Sequence, residues 1–156
     1  FVPPSVLQPR SVRRPMAPES DYKDDDSAAA AKVLMEAGVV VNTGGHGQRE
    51  GLATHWEMWS FVRGGMSPMQ ALSAATINPA NYMGMAADLG SLEVGKLADL
   101  VILDANPLDN IRNTDKVSHV VINGRVYEGG SLQEVLTGDK ALQPFWWQNR
   151  PQDQIR

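Results

Sequence analysis

The sequence predicts an α/β fold, in which helices and one buried strand are followed by a small β module. Residues 28–37 are rich in alanine and end at Gly38, which is typical of a helix with a C-terminal glycine. Residues 39–43 are apolar and mostly β-branched, as expected of a parallel strand covered on both faces. Asn123 and Gly124 separate two strand-like segments, which predicts a type I′ hairpin.

The region between the predicted strand and the β module is predicted to be helical. Residues 52–63 are predicted to form a helix that ends at a pair of glycines. The side of this helix predicted to be apolar carries Leu52, His55, Trp56, Trp59 and Val62. Ser67 is a helix cap, with Pro68 at the first helical position and Gln70 three residues after the cap. A further short helix is expected to stop near Gly84.

Composition divides the chain into an arm, a helical unit, a β module and a tail. Residues 1–26 are rich in proline, end in acidic residues and are predicted to form an extended arm. Residues 27–87 hold the helices and the predicted strand, and residues 88–130 hold the β module. Residues 131–156 form a polar tail, in which the aromatic side chains of residues 145–147 are expected to anchor it.

The overall composition excludes several classes of protein. Hydrophobic residues make up 42% and charged residues 21% of the chain, as in ordinary globular domains. No apolar run approaches the ~18 residues of a membrane span, and a net charge of −4 argues against nucleic acid as a partner. The absence of cysteine excludes a disulfide framework, a thiolate nucleophile and Cys-ligated zinc. Because the chain begins with Phe1, we expect a processed product or a fragment.

The chain has 3 histidines, and they are the residues most able to carry chemistry. His46 lies in a glycine-rich loop after the predicted parallel strand, where α/β proteins collect their binding groups. Its position leaves open whether it serves a site or only bonds to a backbone carbonyl. His55 lies on the apolar side of its helix and suits a core, while His119 in a strand suits a structural or surface role. The sequence contains no His-x-His and no His-Glu-x-x-His.

Two long motifs lie in the helical unit and at the start of the β module. Residues 65–80 are Gly-Met-Ser-Pro-Met-Gln-Ala-Leu-Ser-Ala-Ala-Thr-Ile-Asn-Pro-Ala, and residues 89–101 are Leu-Gly-Ser-Leu-Glu-Val-Gly-Lys-Leu-Ala-Asp-Leu-Val. With the hairpin at residues 121–126, they resemble the carboxyl-terminal part of the amidohydrolase superfamily, in its imidazolonepropionase-like and prolidase-like branch. Residues 45–48 and 55–59 look like the subgroup whose hydrolase domain follows a TolB-like β-propeller.

The resemblance implies a (β/α)8 barrel with a β-sandwich built from both ends of the chain. Family members hydrolyse amide, cyclic amide or peptide-like C–N bonds with water activated by divalent metals, and zinc is the metal expected here. Their ligands are a His-x-His after the first strand, residues of the middle strands and an Asp after the last strand. Only the last of these positions falls within this chain, so the other ligands are expected outside it.

The resemblance also implies roles for two histidines. Aligning residues 42–46 with the family pattern x-x-Gly-[Thr/Ser]-Asp places His46 at the Asp position, as metal ligand and catalytic proton acceptor. A neutral imidazole binds zinc but brings no negative charge to offset the ion, so a lost catalytic function is the competing interpretation. His55 is expected to contact substrate if its ring points to the mouth of the barrel.

The chain is therefore expected to be the C-terminal fragment of a metal-dependent hydrolase barrel plus part of its β-sandwich, and to be inactive alone. Its substrate would be a small amide or peptide-like molecule, and it would associate with the missing N-terminal part of the same protein or with itself. The alternatives are a non-catalytic truncated module that self-associates, and one chain of a heteromeric hydrolase whose partner supplies the His-x-His. The propeller-fused subgroup favours an exported, periplasmic bacterial protein.

Overall fold

The computed structural model describes residues 18, 21, 23–45, 51–138 and 143. Within them the chain folds into helices followed by a three-stranded sheet. The elements are α1 (Asp24–Glu36), α2 (Leu52–Arg63), α3 (Pro68–Ala75), α4 (Ile77–Tyr82), β1 (Leu100–Leu103), a 3₁₀ helix (Ile111–Asp115), β2 (Val117–Ile122) and β3 (Arg125–Glu128). No helix in the described residues is long and apolar enough to cross a membrane. The predicted aromatic anchor at residues 145–147 and most of the predicted arm lie outside them.

Helix α1 begins with three aspartates, Asp24 to Asp26, so the helix starts within the last residues of the predicted arm. Negative charge at this end is favoured because the first N–H groups of a helix carry partial positive charge. At the other end Gly38 adopts φ +86°, and its N–H donates to the carbonyl of Met35 at 3.0 Å. The predicted glycine terminus is therefore confirmed.

Helices α1 and α2 approach each other closely at a pair of small residues. Ala28 is 4% exposed, and a Cβ added to Gly64 would lie 2.4 Å from the carbonyl carbon of Ala28. Beside this contact the Arg63 guanidinium pairs with Asp24 and, at 2.8 Å, with Asp25. These ion pairs are exposed and contribute little, so the close backbone contact determines how the two helices pack.

The capping box predicted at the start of α3 is present. The Ser67 hydroxyl accepts from the Gln70 N–H at 3.2 Å, and the Gln70 side chain accepts from the Ser67 N–H at 2.8 Å. Pro68 occupies the first turn, where its missing N–H has no helical acceptor in any case.

Replacing Ser67 with alanine is expected to lower the free energy of unfolding by about 1 kcal/mol, because an N–H at the start of α3 loses its acceptor. Urea denaturation followed by circular dichroism measures the change. Ser67→Thr keeps a hydroxyl and serves as the control. Equal midpoints for Ser67→Ala and the unmodified protein would show that the cap does not stabilise the fold.

The core lies where α2, α3 and the 3₁₀ helix meet. Its buried members are Met58, Ala71 and Ile111, and partly buried residues pack around them: Trp59, Phe61, Val62, Leu72 and Ala75. The predicted apolar side of α2 is correct for Trp59 and Val62 but wrong for Leu52 and Trp56, which are 48% and 44% exposed. The buried side is instead centred on Met58, because α3 and the 3₁₀ helix contact that side.

The predicted buried parallel strand at residues 39–43 is wrong for this structure. The segment forms no strand, and Val39 and Val40 are 49% and 59% exposed. Its backbone groups bond elsewhere: the Val41 carbonyl accepts from Asn78 Nδ2, and the Thr43 N–H donates to the Ala74 carbonyl, each at 2.9 Å. A strand needs a neighbouring strand to share its hydrogen bonds, and none lies beside it among the described residues.

The predicted hairpin is confirmed in the β module. Asn123 and Gly124 have φ +49° and +76°, as a type I′ turn requires, and β2 and β3 pair antiparallel on either side. The Asp99 carboxylate accepts from the Asn123 N–H at 2.6 Å and ties the turn to the chain before β1. The apolar run at residues 97–103 predicts a longer strand, but β1 begins at Leu100, because the N–H groups of Leu97 and Asp99 bond to the Asp88 and Leu97 carbonyls.

Candidate functional site

The structure describes only the two ends of the glycine-rich loop that was predicted to hold a catalytic histidine. His46 lies outside the described residues, which stop at Gly45 and resume at Gly51. Its predicted roles as metal ligand and catalytic residue therefore stay predictions, and the described residues around it define only how the loop begins.

The start of this loop lies against the first half of α2. The Gly44 N–H donates to Glu57 Oε2 at 2.5 Å. A Cβ added to Gly45 would lie 3.2 Å from Ala53 Cβ and 3.4 Å from the Thr54 backbone nitrogen. A side chain at Gly45 would therefore press on α2, because the backbone there passes directly over the helix.

Each of the two segments that this contact joins holds a buried polar atom without a partner. Among the side chains of the described residues, the buried nitrogen and oxygen atoms that make no hydrogen bond are Asn42 Oδ1 and His55 Nδ1. Asn42 precedes Gly44 by two residues and His55 precedes Glu57 by two, so the Gly44–Glu57 hydrogen bond brings both segments together. Leaving such atoms unpaired is unfavourable, so each is expected to bond to water or to a group outside the described residues.

His55 is a half-buried imidazole on α2. Its ring centroid lies 6.4 Å from that of Trp59, at an interplanar angle of 37°. Burial lowers the pKa of His55 below its usual 6.5, and the charge of Asp115 opposes this effect only in part. The neutral form therefore predominates at neutral pH, and it can hydrogen-bond a substrate without contributing charge. The predicted substrate contact itself stays a prediction.

Acidification is expected to destabilise the fold through His55. Because its pKa is lower in the folded chain than in the unfolded one, the unfolded chain takes up more protons as pH falls below about 6.5. The free energy of unfolding should then fall with pH more steeply for the unmodified protein than for His55→Gln. Denaturation curves at several pH values test this expectation.

A second variant tests the contribution of Asp115 to the pKa of His55. Asp115→Asn removes the charge that raises the pKa of His55, so its ring titration, followed by NMR, should move to still lower pH. A titration midpoint at or above 6.5 in the unmodified protein would contradict burial as the main cause.

His119 is in β2, the middle strand of the sheet. Its Nδ1 lies 2.9 Å from the Ser118 hydroxyl. This hydrogen bond is compatible with the structural or surface role predicted for His119, which lies in the β module.

The metal expected from the resemblance has no complete site in the described part of the chain. Residues 23–45 and 51–138 contain no group of three His, Asp or Glu side chains that could hold an ion. The described residues therefore do not by themselves fit a metal centre, and the only ligand that the sequence assigns to this chain is His46.

A groove on α2 was not predicted from the sequence. It has a volume of about 380 Å³ and is lined by Asp24, Trp56, Trp59, Ser60, Arg63 and Arg112. The Arg112 guanidinium lies 4.8 Å above the Trp59 ring, an arrangement that favours the cation electrostatically. Trp59 and Arg112 are far apart in sequence, so no local pattern indicates their contact.

The hydrogen bond between Glu57 and Gly44 was also not predicted from the sequence. The sequence around Glu57 contributes to the subgroup resemblance, but its hydrogen bond spans 13 residues and closes the ends of a loop. Helical periodicity places Glu57 on α2 without indicating that its carboxylate would reach a glycine N–H.

Comparison with known proteins places these features in a family. Residues 8–127, more than half of the chain, match the family described as "Amidohydrolase family". Imidazolonepropionase from Shouchella clausii (strain KSM-K16) is 38% identical over 93 residues, which cover 52% of this chain and 21% of that protein. Ochratoxinase from Aspergillus niger is 31% identical over 125 residues, which cover 78% of this chain and 26% of that protein. The chain spans about a fifth to a quarter of the length of these curated relatives.

Solved structures agree with the sequence matches. A Xaa-Pro dipeptidase with bound methionine in its active site superposes with a TM-score of 0.62 at 27% identity, over 80% of this chain and 32% of that chain. A putative prolidase from Bifidobacterium longum gives a TM-score of 0.57 at 39% identity, over 62% of this chain and 25% of that chain. This likeness supports the predicted α/β class. The chain belongs to the amidohydrolase family and is imidazolonepropionase-like and prolidase-like.

Proposed function

We propose that this chain forms the carboxyl-terminal part of a metal-dependent hydrolase of C–N bonds in small amide or peptide-like substrates. The observation that carries the proposal is the family match over residues 8–127. The relatives include proteins named as a Xaa-Pro dipeptidase, a phenylurea hydrolase and an imidazolonepropionase. These names support a reaction in which water attacks a carbonyl carbon that is bonded to nitrogen.

In this proposal His46 is a metal ligand and proton acceptor, and His55 contacts the substrate. Two observations support placing the site here: the buried Asn42 Oδ1 and His55 Nδ1 have no partner, and they belong to the two segments that the Gly44–Glu57 hydrogen bond joins. Zinc is the metal proposed, because imidazole is among its preferred ligands. Since the described residues hold no ligand cluster, the remaining ligands would come from outside this chain, and the chain alone would be inactive.

The proposal accounts for apolar surface that the chain leaves exposed. Val39 and Val40 are about half exposed, and in β1 the side chains of Val101 and Ile102 are 55% and 44% exposed. Among the described residues β1 pairs only with β2, so its other edge is free to pair with a further strand. We propose that other barrel and sandwich strands of the same protein cover these surfaces. Sedimentation tests the alternative, because a stable dimer of the chain would instead favour self-association.

A zinc titration of the purified chain, followed by NMR, tests the role of His46. Because the proposal gives this chain a single ligand, we expect weak binding, in which added zinc shifts the ring signals of His46 and leaves those of His119 unchanged. His46→Ala should remove the response, and His119→Ala should keep it. Ring signals of His46 that do not respond to zinc, or that respond no more than those of His119, would contradict the proposal for His46.

An activity assay tests the proposed incompleteness of the site. The chain, supplied with zinc, is expected to leave Xaa-Pro dipeptides and N-acyl amino acids uncleaved. Turnover above the buffer rate that His46→Ala abolishes would show instead that this chain holds a complete site.

A further inference from the structure

We propose that the groove on α2 binds a small aromatic carboxylate, with Arg112 as the group that pairs with the carboxylate and Trp56 as the surface on which the ring packs. The groove has a volume of about 380 Å³, near the lower end of the range for ligand pockets, so it suits a small molecule. None of the residues that line it has a role in the proposed function, so the inference goes beyond that function.

Three helical segments form the groove. The lining residues on α2 follow one another at spacings of three and four residues, so they share one face of the helix: Trp56, Trp59, Ser60 and Arg63. The other lining residues are Asp24, at the start of α1, and Arg112, in the 3₁₀ helix. The site is therefore built from segments that are far apart in the sequence.

Arg112 is held in place both at its backbone and at its guanidinium. Its N–H donates to Asn110 Oδ1 at 3.0 Å, and its guanidinium lies 4.8 Å from the centre of the Trp59 ring. The ring is itself fixed, because its Nε1–H donates to the Ile111 carbonyl and to the Thr114 hydroxyl. A binding group that is ordered in advance loses less conformational freedom when it meets its ligand, which favours binding.

The charge of Arg112 is the one in the groove that is not compensated. Its exposed guanidinium forms no ion pair and no hydrogen bond with a described residue, whereas Arg63 pairs with Asp24 and Asp25. The planar fork of a guanidinium matches a carboxylate. A single positive charge also suits a carboxylate better than a phosphate group, which carries about two negative charges.

Trp56 and Ser60 supply the remaining contacts. The Trp56 indole is 44% exposed within the groove, and an aromatic ring packed on it would remove apolar surface from water. The Ser60 hydroxyl accepts from Arg63 Nη2 at 3.1 Å and donates to no described residue, so its proton is available to a ligand oxygen. An aromatic ring that bears a carboxylate uses all these groups at once.

NMR titrations of the unmodified chain with phenylacetate test the proposal. We expect the indole N–H signals of Trp56 and Trp59 to shift with a Kd on the order of 1 mM, as is typical of a ligand of this size in an open groove. Phenylacetamide has the same shape without the charge, and acetate has the charge without the ring. Each should bind at least about tenfold more weakly than phenylacetate.

Three variants identify the groups that bind the ligand, with the Trp59 indole signal as the readout. Arg112→Gln should weaken phenylacetate binding at least about tenfold, because the charged partner is lost. Arg125→Gln is the matched control, since it removes an exposed arginine from β3, and its Kd should stay within about twofold. Trp56→Leu keeps an apolar side chain without the ring and should weaken binding about threefold to tenfold. Unchanged amide signals of α3 and β2 show that each variant is folded.

The proposal is overturned if phenylacetamide or acetate binds as tightly as phenylacetate, or if Arg125→Gln weakens binding as much as Arg112→Gln. Tighter binding of inorganic phosphate, or indole signals that stay unchanged up to about 10 mM phenylacetate, would also overturn it. Indole signals that shift with protein concentration alone would show that a second copy of the chain occupies the groove instead.

These titrations need neither a metal nor His46. A chain whose His46 ring does not respond to zinc would therefore refute the metal role of His46, while the phenylacetate titrations still decide the role of the groove.

Discussion

Replacing Gly90 with alanine is expected to lower the free energy of unfolding by about 4 kcal/mol, the largest effect of a single substitution that we predict. Gly90 adopts φ +94°, a conformation that side chains rarely adopt. An added Cβ would also lie 2.6 Å from Ala80 Cβ and 3.1 Å from Ile77 Cα. Ala80 is 1% exposed and cannot move aside, so backbone strain and overpacking add together.

Two other glycines separate these two contributions. Gly95 has φ +96° with nothing within 4 Å of an added Cβ, so Gly95→Ala measures strain alone and should lose about 1–2 kcal/mol. Gly64 has an ordinary φ of −73° but lies against Ala28, so Gly64→Ala measures overpacking alone, about 1–3 kcal/mol. Urea denaturation of all three variants gives the comparison. Equal losses for Gly90→Ala and Gly95→Ala would show that contact with Ala80 does not matter.

The features predicted correctly from the sequence depend on neighbours in the chain. The capping box needs only Ser67, Pro68 and Gln70, and the hairpin needs only a dipeptide that tolerates positive φ. Helix α2 was predicted with its observed bounds, since apolar spacing and the following glycine pair define both ends. Such features form in the same way whatever the rest of the protein contributes.

The features that were wrong or missed depend on distant groups. Residues 39–43 have the composition of a strand, but pairing requires a second strand that composition cannot supply. The 3₁₀ helix at Ile111–Asp115 and the hydrogen bond of Glu57 to Gly44 rest on contacts 13 or more residues away. For the same reason the sequence pointed to the loop of His46 as a candidate site without indicating that Glu57 contacts its start.

The motifs that carry the resemblance mainly build the scaffold. Lys96, 12% exposed at its side chain, donates to the Ala86 carbonyl at 2.7 Å and to the Ser91 hydroxyl at 2.5 Å. Asn78 fixes the Val41 carbonyl, and Gly90 allows its turn to pack on α4. The two long motifs thus contain residues that build the scaffold, whereas the proposed chemistry rests on residues 42–57, where the sequence departs from the family pattern at His46.

Replacing Trp59 with alanine is expected to lower the free energy of unfolding by about 3 kcal/mol, because the indole joins the helices to the chain leading into β2. Its Nε1–H donates to the Ile111 carbonyl at 3.1 Å and to the Thr114 hydroxyl at 3.0 Å. Thr114 is 3% exposed, so no solvent replaces the lost donor. The ring also packs on the core and supports the Arg112 guanidinium.

Two further variants show which property of Trp59 matters. Trp59→Phe keeps most of the ring but removes the N–H, and should lose about 1–2 kcal/mol because the Ile111 carbonyl and the Thr114 hydroxyl are left without their donor. Trp56→Ala removes a neighbouring indole that is 44% exposed, and should lose less than about 1 kcal/mol. If Trp56→Ala is as damaging as Trp59→Ala, the groove rather than the hydrogen bonds stabilises the fold. If Trp59→Phe is as damaging as Trp59→Ala, the two hydrogen bonds alone hold the 3₁₀ helix against α2.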